Sequence, residues 1–175
     1  MCVYSQEPQI LRLRSPAAAD PLRSGWHWSM TFRFQYALAL LPLSLALLAI
    51  AAPYLLTHGF PFIAIVLQRG FALVCHQRPE RSFEIFGAHT AVCARCLGIY
   101  LGAAVGTAVQ VPRRTAFSLL VLAAALNLAD AISAMANLHG NWIELRFVLG
   151  VLLGFAAAEC VGASARSLDR QEAPS

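Results

Sequence analysis

The sequence predicts an all-α fold: a polytopic membrane protein of four transmembrane helices plus a short interfacial helix. Three observations predict it. Of 175 residues, 58% are hydrophobic and only 13% are charged, whereas a soluble domain carries nearer ~25% charged residues. The apolar residues collect in runs close to the ~20 residues that a ~30 Å hydrocarbon core demands at ~1.5 Å of rise per residue. Arginines gather around the ends of those runs. There is no lysine; all thirteen basic residues are arginine, which reads as composition bias. The formal net charge of +4 is dispersed around apolar segments. Nucleic acid is therefore not an expected partner, and the lipid bilayer is.

The elements follow in order. Residues 1–29 hold Pro8, Pro16, Pro21, Arg12, Arg14 and Arg23 without sustained apolar periodicity, which predicts a disordered cytoplasmic tail. A start at Met30, just before the first span, is the second reading of this stretch. A signal peptide is not expected, because the run from Ala37 to Leu56 is longer than an h-region and lacks a cleavage site. Residues 30–165 form the transmembrane domain. Its first span covers Tyr36 to Leu56 and contains Pro42 and Pro53, which membrane helices tolerate when neighbours satisfy the freed carbonyls. A Cys/His outer loop over 60–92 follows. It includes the apolar but short stretch Phe60 to Val74, interrupted by Gln68-Arg69-Gly70 and read as an interfacial or re-entrant helix. A fifth span is the alternative there, and it would invert all that follows. The remaining spans are Val92 to Val111, Ala116 to Ala136 and Trp142 to Ala163, with a cytoplasmic tail over 166–175.

Arginine placement sets the expected orientation. Arg12, Arg14, Arg23 and Arg33 precede the first span, Arg113 and Arg114 sit between the second and third, and Arg166 and Arg170 follow the fourth. With four spans all eight fall on one side. The positive-inside rule then puts both termini in the cytoplasm of a bacterial-type inner or plasma membrane. Arg69, Arg78 and Arg81 in the outer loop run against this and are outnumbered. Packing is suggested by glycines four residues apart: Gly98, Gly102 and Gly106 on the second span, Gly150 and Gly154 on the fourth. Such spacing lets two backbones approach closely, and direct contact between these spans is expected. Ordinary glycine enrichment in membrane helices is the blander account.

Three of the five cysteines, Cys75, Cys93 and Cys96, fall within twenty-two residues, with His76 and His89 among them. Cys93 and Cys96 are three apart and share a helix face; His89 joins that face if the helix starts early, with Thr90 as N-cap. The positive helix end and Arg95, with Arg78 or Arg81, favour thiolate over thiol. Three thiolates plus one imidazole is a zinc donor set, with two ligands on a Cys-x-x-Cys turn. The outer membrane face is oxidising, where free thiols tend to pair. A redox-active Cys93–Cys96 pair with Cys75 as partner therefore competes, as does a plain structural disulfide. Cys2 and Cys160 are read as bystanders.

Cys75-His76-Gln77-Arg78-Pro79-Glu80-Arg81-Ser82-Phe83, with Cys93-Ala94-Arg95-Cys96-Leu97-Gly98-Ile99-Tyr100-Leu101-Gly102, resembles a family of predicted bacterial and archaeal membrane proteins classed only as a domain of unknown function. The resemblance covers roughly Leu67 to Phe155. It implies an aspartate in the third span and an Arg-x-x-x-Gly in the fourth, matched by Asp130 and by Arg146 with Gly150. It favours His76 over His89 as the imidazole partner, leaving His89 as second choice. It implies no activity.

Ionisable residues within spans are costly and are usually paired or functional. Asp130 lies ~12 Å and Arg146 ~6 Å below the turn around His139-Gly140, by helix rise. An arginine reaches across that difference, so an intramembrane Asp130–Arg146 pair is expected, structural or part of a polar pocket. Asn127 lies one turn from Asp130. Glu159 is expected to pair near the cytoplasmic end with Arg113, Arg114 or Arg166. No phosphate loop, nucleophile triad or nucleotide fingerprint is present, so no catalytic residue is assigned. The leading function is an extracytoplasmic Cys3His metal site, zinc being the cofactor, at the start of the second span. The alternatives are a membrane thiol–disulfide oxidoreductase using Cys93 and Cys96, and a small transporter. A homo-oligomer or a membrane partner protein are the candidate protein partners.

Overall fold

The computed structural model describes residues 21–136, 140 and 142–172, with side chains placed within 39–164. The described chain is mostly helical. In order come α1 (Pro21–Thr57), α2 (Pro61–Phe71), a 3-10 turn (Pro79–Arg81), β1 (Glu84–Ile85), β2 (Ala88–His89), α3 (Ala94–Gly106), α4 (Arg113–Met135) and α5 (Ile143–Glu172). The chain divides into two units, residues 1–33 and residues 34–175. In the first, the described part is the opening of α1; the second holds all other elements. The expected tail over 1–29 lies outside the described residues up to position 20, and Pro21 to Ser29 are helical. At the other end α5 is helical through Glu172, and residues 173–175 lie outside the description.

Among the described residues, three helical stretches are long and apolar enough to cross a membrane: Ala39–Thr57, Arg113–Met135 and Ile143–Ser164. The expected second span differs. Its helix covers only Ala94–Gly106, 13 residues, or about 20 Å by rise. Each end has an identifiable cause. Cys93 is extended (φ −68°, ψ 158°) and serves as the N-cap, so the helix does not begin early and Thr90 does not cap it. The Thr90 hydroxyl instead donates to the Val92 carbonyl at 2.8 Å. At the far end the last turn tightens, with the Ala108 amide donating to the Val105 carbonyl at 3.0 Å. The Val111 amide then donates to Oε2 of Glu159 at 3.1 Å, a carboxylate only 1% exposed. The stretch read as an interfacial helix contains α2, 11 residues opened by Pro61, whose missing N–H is harmless in a first turn.

α3 lies backbone to backbone against α5. A Cβ on Gly102 would fall on the Val151 carbonyl oxygen, and one on Gly154 on that of Ile99. Gly98 faces the Phe147 carbonyl in the same way, Gly150 faces that of Arg95, and a Cβ on Gly106 would lie 2.7 Å from the Phe155 oxygen. In lipid, where apolar side chains gain little by meeting one another, such close approach is a main source of helix attraction. α4 joins α5 through buried Asn127, whose amide donates to the carbonyls of Ala123 and Leu149, each at 2.9 Å.

α1 contributes Ala46, Ala49 and Ala52, three apart on one fully buried face, to a core with Phe71, Val92 and Leu97. Pro53 has no amide hydrogen, so the Ala49 carbonyl one turn earlier loses its helical donor. The Ala91 amide supplies the replacement at 3.2 Å. The segment leading into Cys93 is thereby docked on the first long apolar helix.

Candidate metal centre

Each cysteine is placed by a different local device. Cys75 follows α2 in a tight turn, its amide donating to the Phe71 carbonyl at 2.9 Å. Gln77, with a positive φ of 47°, turns the chain back. Its side-chain amide donates to the Gln68 carbonyl at 2.5 Å and to the Ala91 carbonyl at 2.7 Å. That one side chain ties the end of α2 to the segment before Cys93. The loop then makes the 3-10 turn and the β1–β2 hairpin, pairing Glu84 with His89 and Ile85 with Ala88. Phe86 and Gly87 form its two-residue turn, both at positive φ (57° and 76°), as tight hairpins require. Phe86 holds this unusual conformation against the Tyr54 ring, 5.4 Å away edge to face. The hairpin delivers Cys93 to the start of α3, and Cys96 stands one turn further in.

The sulfurs of Cys75, Cys93 and Cys96 all lie within 4.8 Å of one another, and all three are free thiols. Cys75 is buried, and the other two are half-buried. The Cys93 amide donates to Sγ of Cys75 at 3.2 Å. Cys75 is held well below the ordinary thiol value, first by side-chain hydrogen bonds from Cys93 and Cys96. Burial opposes that shift, and the amides of Cys93 and Gln77 reinforce it. A thiolate is the form that ligates metal. Zinc–sulfur bonds near ~2.3 Å would draw the sulfurs to about 4 Å, a small closure from the geometry present.

The two expected histidines are placed differently from the sulfurs. Among the described residues the cluster of converging ligand atoms consists of the three sulfurs and includes neither imidazole. His89 is exposed on β2 and not on the face of α3. His76 is exposed and forms part of the wall of a cavity of about 340 Å3 in front of the thiols.

Beside the cysteines lies an ionic centre. Asp130 on α4 is 3% exposed and its Oδ2 lies 3.5 Å from Nε of Arg146 on α5, itself 6% exposed. The same oxygen is hydrogen-bonded and ion-paired to Arg95, the residue between Cys93 and Cys96. Arg95 as a partner of Asp130 was not read from the sequence, where it figured only as positive charge near the thiols. The available signal was its place on α3 one turn before Gly98, on the helix face that meets α5. Gln77 was likewise missed as a clamp, although it completes the Cys75-His76-Gln77 element.

Residues 75–159 match a family described as predicted membrane protein (DUF2085). An uncharacterised protein of Methanocaldococcus jannaschii is 37% identical over 116 residues, 59% of this chain and 74% of that protein. An uncharacterised protein of Methanothermobacter thermautotrophicus is 54% identical over 33 residues, 19% of this chain and 30% of the relative. No solved structure matches. The matched region runs from the first cysteine of the cluster to Glu159 and takes in all three converging thiols and the Asp130 centre. The chain belongs to this family of predicted membrane proteins.

Proposed function

We propose that this is a membrane protein built around a thiolate metal site, with zinc held by Cys75, Cys93 and Cys96. The observation that carries the reading is the convergence of three free sulfurs within 4.8 Å, drawn from a loop and from the first turn of a helix. That donor chemistry suits zinc, which takes four ligands in structural sites. His76, adjacent to Cys75 on the cavity wall, is our candidate for the fourth position. Bound there, zinc would staple the loop after α2 to the start of α3, and its binding energy would add to folding. In the topology we propose, α3 with its apolar flanks is a second membrane-crossing segment beside the three long ones. Both termini are cytoplasmic, and the cysteines lie at the extracytoplasmic face of an inner or plasma membrane.

Metal analysis of the purified chain, with thiol counting, tests the reading. One zinc per chain with Cys75, Cys93 and Cys96 all reduced is the expected result. A competing reading, thiol–disulfide exchange, is favoured by the lowered Cys75 thiol beside two others. A metal-free protein in which two of the three thiols are oxidised would select it.

A further inference from the structure

The thiol cavity has a second chemical character. Besides the cysteines, Arg78, Arg81 and Arg95 line it. A smaller cavity of about 60 Å3 shares Arg81, Cys93 and Arg95 as walls and adds Arg146. The two spaces therefore adjoin, and four arginines border them, with no carboxylate among the described bordering residues. Asp130 stands behind this wall, where it engages Arg95 and Arg146. Glu80 reaches Arg78 only at 3.9 Å, with both side chains more than half exposed, so it screens little. Nε of Arg95 is buried without a hydrogen-bond partner among the described residues. Arg81, half-buried at the junction of the two spaces, is on hand for whatever occupies them.

We infer that this arginine-walled cavity binds a phosphate group. The inference goes beyond the metal reading and does not depend on it. Without metal a Cys75 thiolate adds one negative charge, and three thiolates on a divalent ion also leave one. In either state the guanidiniums outnumber the negative groups around the cavity. Guanidinium forks match the oxygens of phosphate in pairs. Four arginines around the two adjoining spaces, two of them also held by Asp130, offer more donors than the two oxygens of a single carboxylate can accept. A volume of about 340 Å3 admits an inorganic phosphate or the headgroup end of a phospholipid. The two sources share this chemistry.

The test uses the full-length protein in dodecyl maltoside, a detergent without phosphate. In one arm inorganic phosphate is titrated calorimetrically. In the other, the protein is recovered from phosphatidylglycerol vesicles and retained phospholipid is counted by native mass spectrometry. Arg81→Gln and Arg78→Gln are the variants, because neither side chain engages Asp130. Saturable phosphate binding that weakens at least tenfold in Arg81→Gln supports a soluble ligand. Phospholipid retention that falls in the same variant, without binding of free phosphate, supports a headgroup. If neither ligand binds, or if binding is indifferent to both arginine replacements, the inference is overturned. Zinc content is measured in parallel. A chain that carries no zinc as purified yet binds phosphate retires the metal reading and leaves this one standing, and zinc bound without phosphate does the reverse.

Discussion

Arg95, the residue between Cys93 and Cys96, is ion-paired with Asp130 of α4, and the same carboxylate oxygen lies 3.5 Å from Arg146 of α5. One acid thus links the cysteine-bearing helix to both of the long helices that follow it. Asp130→Ala would take a carboxylate from Arg146, whose side chain is 6% exposed, and from Arg95. Breaking a buried pair in this way costs about 3–5 kcal/mol. Unfolding in detergent should show a loss of that order. Adding Arg146→Met should recover part of it and not all, because Arg95 remains. A harmless Asp130→Ala would show that the centre is not an ionic link.

The α3–α5 contact has little room for side chains. A Cβ on Gly102 meets backbone at Val151, whereas one on Gly70 in α2 meets nothing within 4 Å. Gly102→Ala should therefore destabilise the protein by about 1–3 kcal/mol, the usual range for overpacking. Gly70→Ala should be neutral or slightly stabilising, since alanine is the better helix former. Equal melting temperatures for the two variants would mean that α3 and α5 do not pack this closely.

Gln77→Ala removes donors from two carbonyls, Gln68 and Ala91. Leaving such groups unmatched costs about 1–3 kcal/mol each where water cannot reach them. The loop carrying Cys75 should loosen, seen as faster thiol labelling of Cys75 and weaker zinc retention. Unchanged labelling would mean that other contacts hold the loop.

Under the proposed metal reading, acid should release the zinc. The folded Cys75 thiol is lowered from its ordinary value, so the native chain binds fewer protons there than the unfolded chain, and stability rises with pH. This contribution is complete above the ordinary thiol range near ~8.5. It declines as pH falls below that range and is lost below the lowered value. Protons also compete for all three thiolates, so zinc content should fall on dialysis from about pH 8 toward 5. Cys75→Ser should flatten the pH dependence of the unfolding midpoint. An equally steep curve in that variant would assign the effect to another group.

Orientation is read by labelling single cysteine probes in a background without the native cysteines. A probe replacing Glu80 should react with an impermeant reagent added outside cells, and one replacing Arg114 should not. Outside labelling at Arg114 would invert the proposed topology and move the thiol cluster to the cytoplasmic side.

The membrane class, the helical character and the family were legible in the residues themselves. Long apolar runs have one physical solution in lipid, and a cysteine-rich motif of fixed spacing is compact enough to recognise. Cys75, Cys93 and Cys96 also stood out as a group, because thiols so closely spaced at the start of an apolar run have few innocent uses. Tertiary structure decided the rest. The length of α3 depends on the extended cap at Cys93 and on the Val111–Glu159 hydrogen bond, and partners 48 residues apart are invisible to local periodicity. The docking of the loop depends on an Ala49 carbonyl that Pro53 leaves open and Ala91 fills. Helix rise alone puts Asp130 and Arg146 about 6 Å apart in depth, within an arginine's reach. The rotation of α3, held by glycines against the α5 backbone, is what turns Arg95 onto the same carboxylate. Spacing along a chain gives depth and face within one helix, and only packing fixes how that face is aimed at its neighbours.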